Sequence, residues 1–524
     1  MKWKKLVVGV GLVAIGLLVG CSGVDATEID NNEVADTSKA LTTGEPIRIM
    51  APFFGEIAPE EDSAIERKIE AFTGFEIEMT WIPESGYTDR LSLVLAGGDD
   101  VPDVLVVPGS PVGNPTIVSS VAAGGFWRLD EHIDQFNYLS MMNPGVRMNA
   151  SFNGETFGLY RSRDLIRTSI TIRRDWLDNL GLDTPTTIDE FTDMLFAFRD
   201  QDPDGNGIDD TYGITLPSWD GMNNAGPLDA VAVMFGAPNR TTIVDGEVVF
   251  DFMTPEYMKA MEWLRMLFEE GLINRDFVTL PTDDWNNDFL NGYAGVIIDN
   301  QSRSMQLAGL KRDAHGVYDG SPWVKQIGTL VAPNVEAILP TTGFNGLNMI
   351  PTTSVTSEER LLEVLEFLNL LNSKEMTAVL NIGVENLHWY FNDEGDFEQI
   401  VHEDEAVQRQ DMATIASFAQ IGMSVSGFQF PVALTGDLIE TERLEIRDGQ
   451  HYHDIAVFNP TQPFISETET LRGAILGNII ADARIQFIAG QIDRIEFEAE
   501  VQRWLDSGGQ EVIEELTELY QLVQ

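Results

Sequence analysis

The chain has 524 residues, 43% of them hydrophobic, with 28 Phe, 10 Trp and 10 Tyr. That is enough to bury a large core and too long for one simple domain, so two lobes are expected. The formal net charge of −51, from 33 basic and 84 acidic side chains, repels nucleic acid and anionic lipid headgroups and excludes both as partners. The acids are scattered through periodic helices, the pattern of solvated faces and not of a disordered acidic polymer.

The chain begins MKWKKLVVGVGLVAIGLLVGC, a basic start, an apolar run and a small residue at the cut point, which makes residues 1–20 an export signal. Leu18, Val19, Gly20 and Cys21 resemble the bacterial lipobox, with Cys21 as the lipid-bearing first residue after cleavage. The alternative is a plain transmembrane anchor with an incidental Cys. Cys21 is the only cysteine, so there are no internal disulfides. Residues 21–44 are rich in Asp, Glu, Asn and Thr, lack a sustained period, and read as a flexible acidic linker.

PIRIMAPF opens the first lobe as a strand, and Ile65, Ile69 and Phe72 mark a helix that Gly74 ends. Phe75, Ile77, Met79 and Trp81 alternate with Glu76, Glu78 and Thr80, which predicts a strand with one face in the core. Tyr87, Leu91 and Leu95 lie on the next helix, and Val104 to Val107 form an apolar run of the kind buried inside parallel sheets. Strand, helix, strand, helix, strand predicts βαβ units in a doubly wound sheet, with ligand collecting at the strand ends Pro52 to Gly55 and Pro108 to Pro111. The chain is expected to cross to the second lobe near Gly158 to Arg163.

The stretch ITIRRDWLDNLGLDTPTTIDEFTDMLFAFRDQDPDGNGIDD follows. Gly181 stops a helix begun near Arg173. Thr187 and Glu190 form a capping box ahead of Ile188, Phe191, Met194, Leu195 and Phe198 on one helical face. In the loop after it, oxygen-bearing side chains alternate with residues that permit tight curvature. Asp202, Asp204, Asn206 and Asp210 offer side-chain oxygens and Ile208 its carbonyl, a donor set suited to Ca²⁺ as a structural ion. Gly213 stands where an EF-hand needs a bidentate Glu, so this is not a standard EF-hand; the bland alternative is an Asp/Gly/Asn turn without metal. Further on, Thr254 caps a helix beginning at Pro255, with Met258, Met261, Leu264 and Phe268 on its apolar face and Gly271 at its end. GYAGVIIDN, residues 292–300, reads as a return crossing and LNMIPTT, residues 347–353, as another, after which Thr356 and Glu359 cap a Leu-rich helix. From Ser466 the chain is almost all helical.

Sugars combine C–H faces with hydroxyl rims, so their sites pair flat aromatic platforms with planar or charged hydrogen-bonding groups. Trp219, Trp285, Trp323 and Trp389 lie in polar, loop-like contexts; Trp81, Trp176, Trp263 and Trp504 read as core. Partial burial competes with stacking for each of the first four. Arg163 and Arg167 either bind a carboxylate on a uronic-acid ligand or pair with the abundant surface acids. No G-x-S-x-G or H-E-x-x-H motif is present, and acids are too numerous for two of them to signal a glycoside hydrolase.

Several stretches together resemble the extracellular solute-binding lipoproteins of carbohydrate ABC importers, in the LplA-like and alginate-oligosaccharide-binding branch. They are FNGETFGLYRSR with the stretch that follows it, GFEIEMTWIPESGYTDRLSLVLAGGDDVPDVL from Gly74, TPEYMKAMEWLRMLFEEGLINRDF from Thr254, NIGVENLHWY from Asn381, and IAGQIDRIEFEAEVQRWLDSGGQEVIEELTELY from Ile488. The resemblance implies an α/β, two-lobed periplasmic-binding-protein-like fold of type II. Doubly wound sheets are then expected in each lobe, with hinge crossings and a helical C-terminal part. Residues 45–162 with 299–346 would form the N-terminal lobe, and 163–298 with 347–524 the C-terminal lobe. It further implies a monomeric, lipid-anchored, non-enzymatic protein that captures an oligosaccharide and hands it to ABC transporter permease subunits. The cleft is then expected to take Tyr160, Arg161, Trp219, Asp220, Asp299, Glu385 and Trp389, with Trp285 added from its polar setting. A surface glycosidase and a sugar sensor without transport are the rival readings.

Overall fold

The computed structural model describes residues 44–523 apart from 98–99, 111–113, 219–225, 311–322, 393–396, 403 and 426–450. The expected export signal, Cys21, nearly all of the linker, Trp219 and Asp220 lie outside the described residues. No helix among them is long and apolar enough to cross a membrane.

Thirteen strands are described: β1 Ile47–Phe53, β2 Ile77–Pro83, β3 Val104–Val107, β4 Gly158–Ser162, β5 Thr168–Arg173, β6 Tyr212–Ile214, β7 Thr241–Val244, β8 Glu247–Phe250, β9 Ala294–Asn300, β10 Val324–Ile327, β11 Phe344–Met349, β12 Trp389–Phe391 and β13 Phe397–Gln399. Two sheets head the two lobes, one ordered β2-β1-β3-β11-β4 and the other β10-β5-β9-β6.

In the first sheet β1 runs parallel to β2 and β3, whereas β11 is antiparallel to both β3 and β4. The VLVV of β3 is buried throughout, as a strand covered on both faces must be. The helix Ala64–Thr73 starts on Ser63, whose hydroxyl accepts from the Glu66 amide, and stops at Gly74 with φ 75. Tyr87 on the helix Glu84–Leu95 latches it to the sheet, its hydroxyl donating to the carbonyls of Met50 at 2.9 Å and Val106 at 2.6 Å. A helix at Glu358–Leu370 lies almost wholly inside this lobe, with the Phe367 ring edge-on to Phe75. Its cap is Ser357 rather than Thr356, one residue later than the sequence pattern suggests.

The second sheet is mixed: β5 is antiparallel to β10 and β9, and β6 is parallel to β9. The helix Arg174–Leu180 ends at Gly181 with φ 65, and the helix Ile188–Asp200 carries the Thr187–Glu190 capping box. Ile188, Phe191, Met194, Leu195 and Phe198 are all buried in one large cluster with Met258, Met261 and Leu264 of the helix Pro255–Glu269. Complete burial of each such side chain contributes about 1.5–3 kcal/mol. Phe198 and Trp176 meet edge to face at 5.2 Å directly over Gly295 of β9. The C-terminal helices Glu467–Ile488, Arg494–Trp504 and Gln510–Leu522 join the same core through Leu476, Ile480, Phe497, Trp504 and Leu516.

Sheet membership shifts the expected lobe boundaries. Residues 292–300 are no crossing: β9 is an interior strand of the second sheet, and its apolar run is the signature of burial on both faces. β10 pairs with β5 in that same sheet, so neither the end of β9 nor 324–327 belongs to the first lobe. LNMIPTT begins within β11, inside the first sheet. The following helices Lys374–Ile382 and Glu405–Phe418 pack on the first lobe's elements, and the chain rejoins the second core by Phe464. The first crossing is residues 163–167, just after β4, and the second runs between β10 and β11. These two segments lie side by side: the Arg163 amide donates to Gly343 O at 2.9 Å and the Thr341 amide to Leu165 O at 2.7 Å. Gly343 has φ +83, and a Cβ there would come within 2.5 Å of Val146 Cγ2, so only glycine suits this point of the hinge.

Candidate functional site

A cavity of about 820 Å³ opens where the two sheets meet the hinge. The first lobe contributes Gly109 and Ser110 beyond the end of β3, together with Asn149 and Asn345 of β11; the crossings contribute Arg163, Arg167 and Thr341. The second lobe contributes Asp299 and Asn300 at the end of β9, Gly226, Pro227 and Asp229 at a helix start, and Arg240, Asp251, Asn459, Gln462 and Glu469. Strand ends are where open α/β sheets place ligands. Of the two expected strand ends, Gly109 and Ser110 of the 108–111 segment line the cavity and the 52–55 segment does not. There the Phe54 amide is bonded to Ser417 Oγ at 3.0 Å, and Gly55 packs against Ala413.

Most charges facing the cavity are already matched. Asp229 Oδ1 accepts from Arg484 at 2.9 Å, and its other oxygen accepts the Gly226 amide. Burial pushes the Asp229 carboxyl above the usual range, and the Arg484 charge opposes that. Asp251 is pushed up to about 7, first by burial and then by the neighbouring Asp229 charge. Arg240 pairs with Glu469, and Asp299 pairs with Arg303 Nε at 2.5 Å.

The expected site residues divide sharply. Asp299 and the arginines of the first crossing reach the cavity. Trp285 does not: it is completely buried, donates its indole N–H to Thr215 O at 2.8 Å, and carries the Arg303 guanidinium 4.3 Å above its ring. It therefore positions the arginine that holds Asp299. Tyr160 is buried inside the first sheet with its hydroxyl accepting the Asn143 amide at 2.8 Å, and burial pushes it up to about 12. Arg161 donates to Asn345 O at 3.0 Å, one residue behind the cavity wall; burial, and then Arg163, push it down to about 10. Trp389 is buried with its N–H on Gly383 O at 2.9 Å, and Glu385 sits exposed on the same turn; neither lines the cavity. Trp323 is buried beneath Arg173.

The aromatic surface actually offered to the cavity includes Phe458, 46% exposed, in the turn FNPTQPF. An apolar ring held between prolines and amides in a polar stretch was a usable signal; attention to tryptophan alone passes over it. Asn300, Asn345, Asn459 and Gln462 supply planar amides around it.

In the 202–210 loop, Asp202 accepts the amides of Asn206 and Gly207 at 3.1 and 3.0 Å, Asp204 accepts Asn206 at 3.3 Å, and Asn206 Oδ1 accepts Ile208 at 2.6 Å. No group of three or more His, Cys, Asp or Glu side chains is gathered as a metal cluster among the described residues. Asp210 Oδ1, however, is buried there with no hydrogen-bond partner.

The family described as bacterial extracellular solute-binding protein matches residues 58–378. Lipoprotein LipO of Bacillus subtilis (strain 168) is 37% identical over 99% of this chain and 98% of its own. The polygalacturonan/rhamnogalacturonan-binding protein YtcQ of the same organism is 29% identical over 99% of both chains. Among solved structures, an HMO-binding, ABC-transporter-associated solute-binding protein from Bifidobacterium longum infantis ATCC 15697 superposes with a TM-score of 0.69 at 19% identity, covering 92% of this chain and 99% of that one.

Proposed function

Because this chain belongs to the bacterial extracellular solute-binding proteins, we propose that it is the substrate-binding component of an ABC importer, closing its two lobes over an oligosaccharide and delivering it unaltered to the permease. The observation that carries the reading is the cleft itself, an 820 Å³ space between two lobes, lined by amide side chains around the exposed Phe458 ring. That volume lies in the range of small-ligand sites. Side-by-side hinge segments suit closure by rotation about a few backbone torsions. The naming of YtcQ as a polysaccharide-binding protein supports a glycan ligand. A lipid on Cys21 is part of the same proposal, supported by the lipobox-like LVGC and by the lipoprotein name of LipO.

Catalysis is not part of it. Asp229 and Asp299, the obvious acid and base for a glycosidase, are each engaged by an arginine. Calorimetric titration against an oligosaccharide panel tests the reading. A member of the panel should bind, come back intact by chromatography, and lose affinity roughly tenfold in Phe458→Ala, the scale of one aromatic stacking contact. Shortened glycans, or no binding by any member, would overturn it.

We also propose that the 202–210 loop takes a hard divalent cation such as Ca²⁺, held by Asp202, Asp204, Asn206 and Asp210 with the Ile208 carbonyl. The support is the buried, unpartnered oxygen of Asp210. A bound cation would supply charge neutralisation and tie the end of the helix Ile188–Asp200 to β6. Chelator is then expected to lower the melting temperature while leaving oligosaccharide affinity intact. An unchanged melting temperature argues for a metal-free turn.

A further inference from the structure

We infer that the cleft selects an oligosaccharide carrying carboxylate groups, and that Arg163 and Arg167 of the first crossing receive them; this rests on the oligosaccharide reading above. The chain has 84 acidic against 33 basic side chains, so a cation on its surface is far more easily paired than not. Arg173, Arg199 and Arg360 each have a carboxylate within ion-pair distance. Among the described residues no carboxylate lies within that distance of Arg161, Arg163 or Arg167, three arginines spaced over seven positions at the hinge. Among the described residues Arg167 bonds only the Ser302 hydroxyl, at 2.6 Å, and Arg161 only a carbonyl, its Nε buried without a partner there.

These arginines also repel one another. Arg163 is held below its ordinary value by partial burial and by Arg167, against a weaker pull from Asp164. Gathering like charges at a hinge costs stability, and Asp164 in the crossing offsets only part of it. The charges on the rest of the wall do not compete, since Asp229, Asp299 and Arg240 each have an opposite partner, which leaves Asp251 as the remaining acid. Among the described residues the unpaired charge at the cleft is therefore weighted to the positive, two arginines against Asp251, in a molecule whose formal net charge is strongly negative. Planar guanidinium forks match carboxylates in a two-point geometry that neutral hydroxyls cannot reproduce. Their position on the crossing segment means that a carboxylate there would touch the hinge as the lobes close.

The test is calorimetric titration of the whole mature protein with a uronate trisaccharide and with the same trisaccharide after carboxyl reduction. The acidic sugar should bind at least tenfold more tightly, and the preference should fall as salt is raised. In Arg163→Gln/Arg167→Gln the preference should vanish while the reduced sugar still binds, which also shows that the variant is folded. Arg167→Lys, which keeps the charge and loses the fork, should fall between. Equal affinity of the wild type for both sugars, or a preference that survives in the double variant, overturns this inference alone. Binding of neither sugar overturns the oligosaccharide reading as well.

Discussion

Arg484→Met should cost the second lobe about 3–5 kcal/mol, the usual effect of removing one partner from a buried ion pair. Arg484 lies on the helix Glu467–Ile488 with its side chain 3% exposed, and it is the cation that Asp229 bonds. Asp251 and Tyr257 also interact with it electrostatically. Methionine fills similar space but leaves two carboxyls in an apolar setting behind the cleft wall. The loss should depend on pH in a defined direction. Both aspartates hold their protons more tightly in the folded chain than in the unfolded one. Their burial therefore costs nothing below the unfolded carboxylate range near pH 4, and costs progressively more as pH rises towards the folded value, about 7 for Asp251. Without Arg484 both values climb further, so the destabilisation should be small at pH 4 and largest above pH 7. Urea unfolding followed by tryptophan fluorescence at the two pH values checks this. Adding Asp229→Asn and Asp251→Asn to the variant should recover most of the loss at high pH.

Gly295→Ala should destabilise by about 3 kcal/mol or more, the upper part of the range for overpacked cores. A Cβ at that position in β9 would overlap the Phe198 ring and stand 2.9 Å from Trp176 Cε3. Both rings are fully buried and edge-on to each other, so neither can swing aside. Thermal unfolding of Gly295→Ala, of Phe198→Leu and of the double variant forms a cycle. The double variant should be more stable than the sum of the single losses predicts, because leucine vacates the space the methyl needs. Additive losses would mean the strand shifts instead.

What could be read from the sequence was whatever is encoded within a turn or two of chain. The Thr187–Glu190 box, the Gly74 and Gly181 stops, the Thr254–Pro255 start and the alternation through Ile77 and Met79 all depend on near neighbours, and all were legible. Assigning segments to lobes was not legible, because it depends on pairing across long separations. Nothing local marks β11 as the partner of β3 and β4, or β10 as the partner of β5. The site shows the same division. Asp299, expected from the resemblance, and Arg163 and Arg167, conspicuous because cations are scarce, line the cavity. Trp285 and Trp389 were misplaced because a polar neighbourhood was taken for solvent. Their polar surroundings instead mark turns whose carbonyls, Thr215 and Gly383, accept the indole N–H groups. That no carboxylate among the described residues pairs with the hinge arginines is a fact about three-dimensional spacing, and no count of acids could have supplied it.

The interleaving of the two lobes also bears on biogenesis. β11 fills the slot between β3 and β4, yet the ribosome makes it roughly 240 residues after β3. At roughly 5–20 residues per second that delay is on the order of tens of seconds. Throughout it the N-terminal sheet lacks an interior strand and cannot lock into its native form. A polypeptide bound for a secretory channel has to remain threadable while it is being made, and this order of synthesis favours that condition.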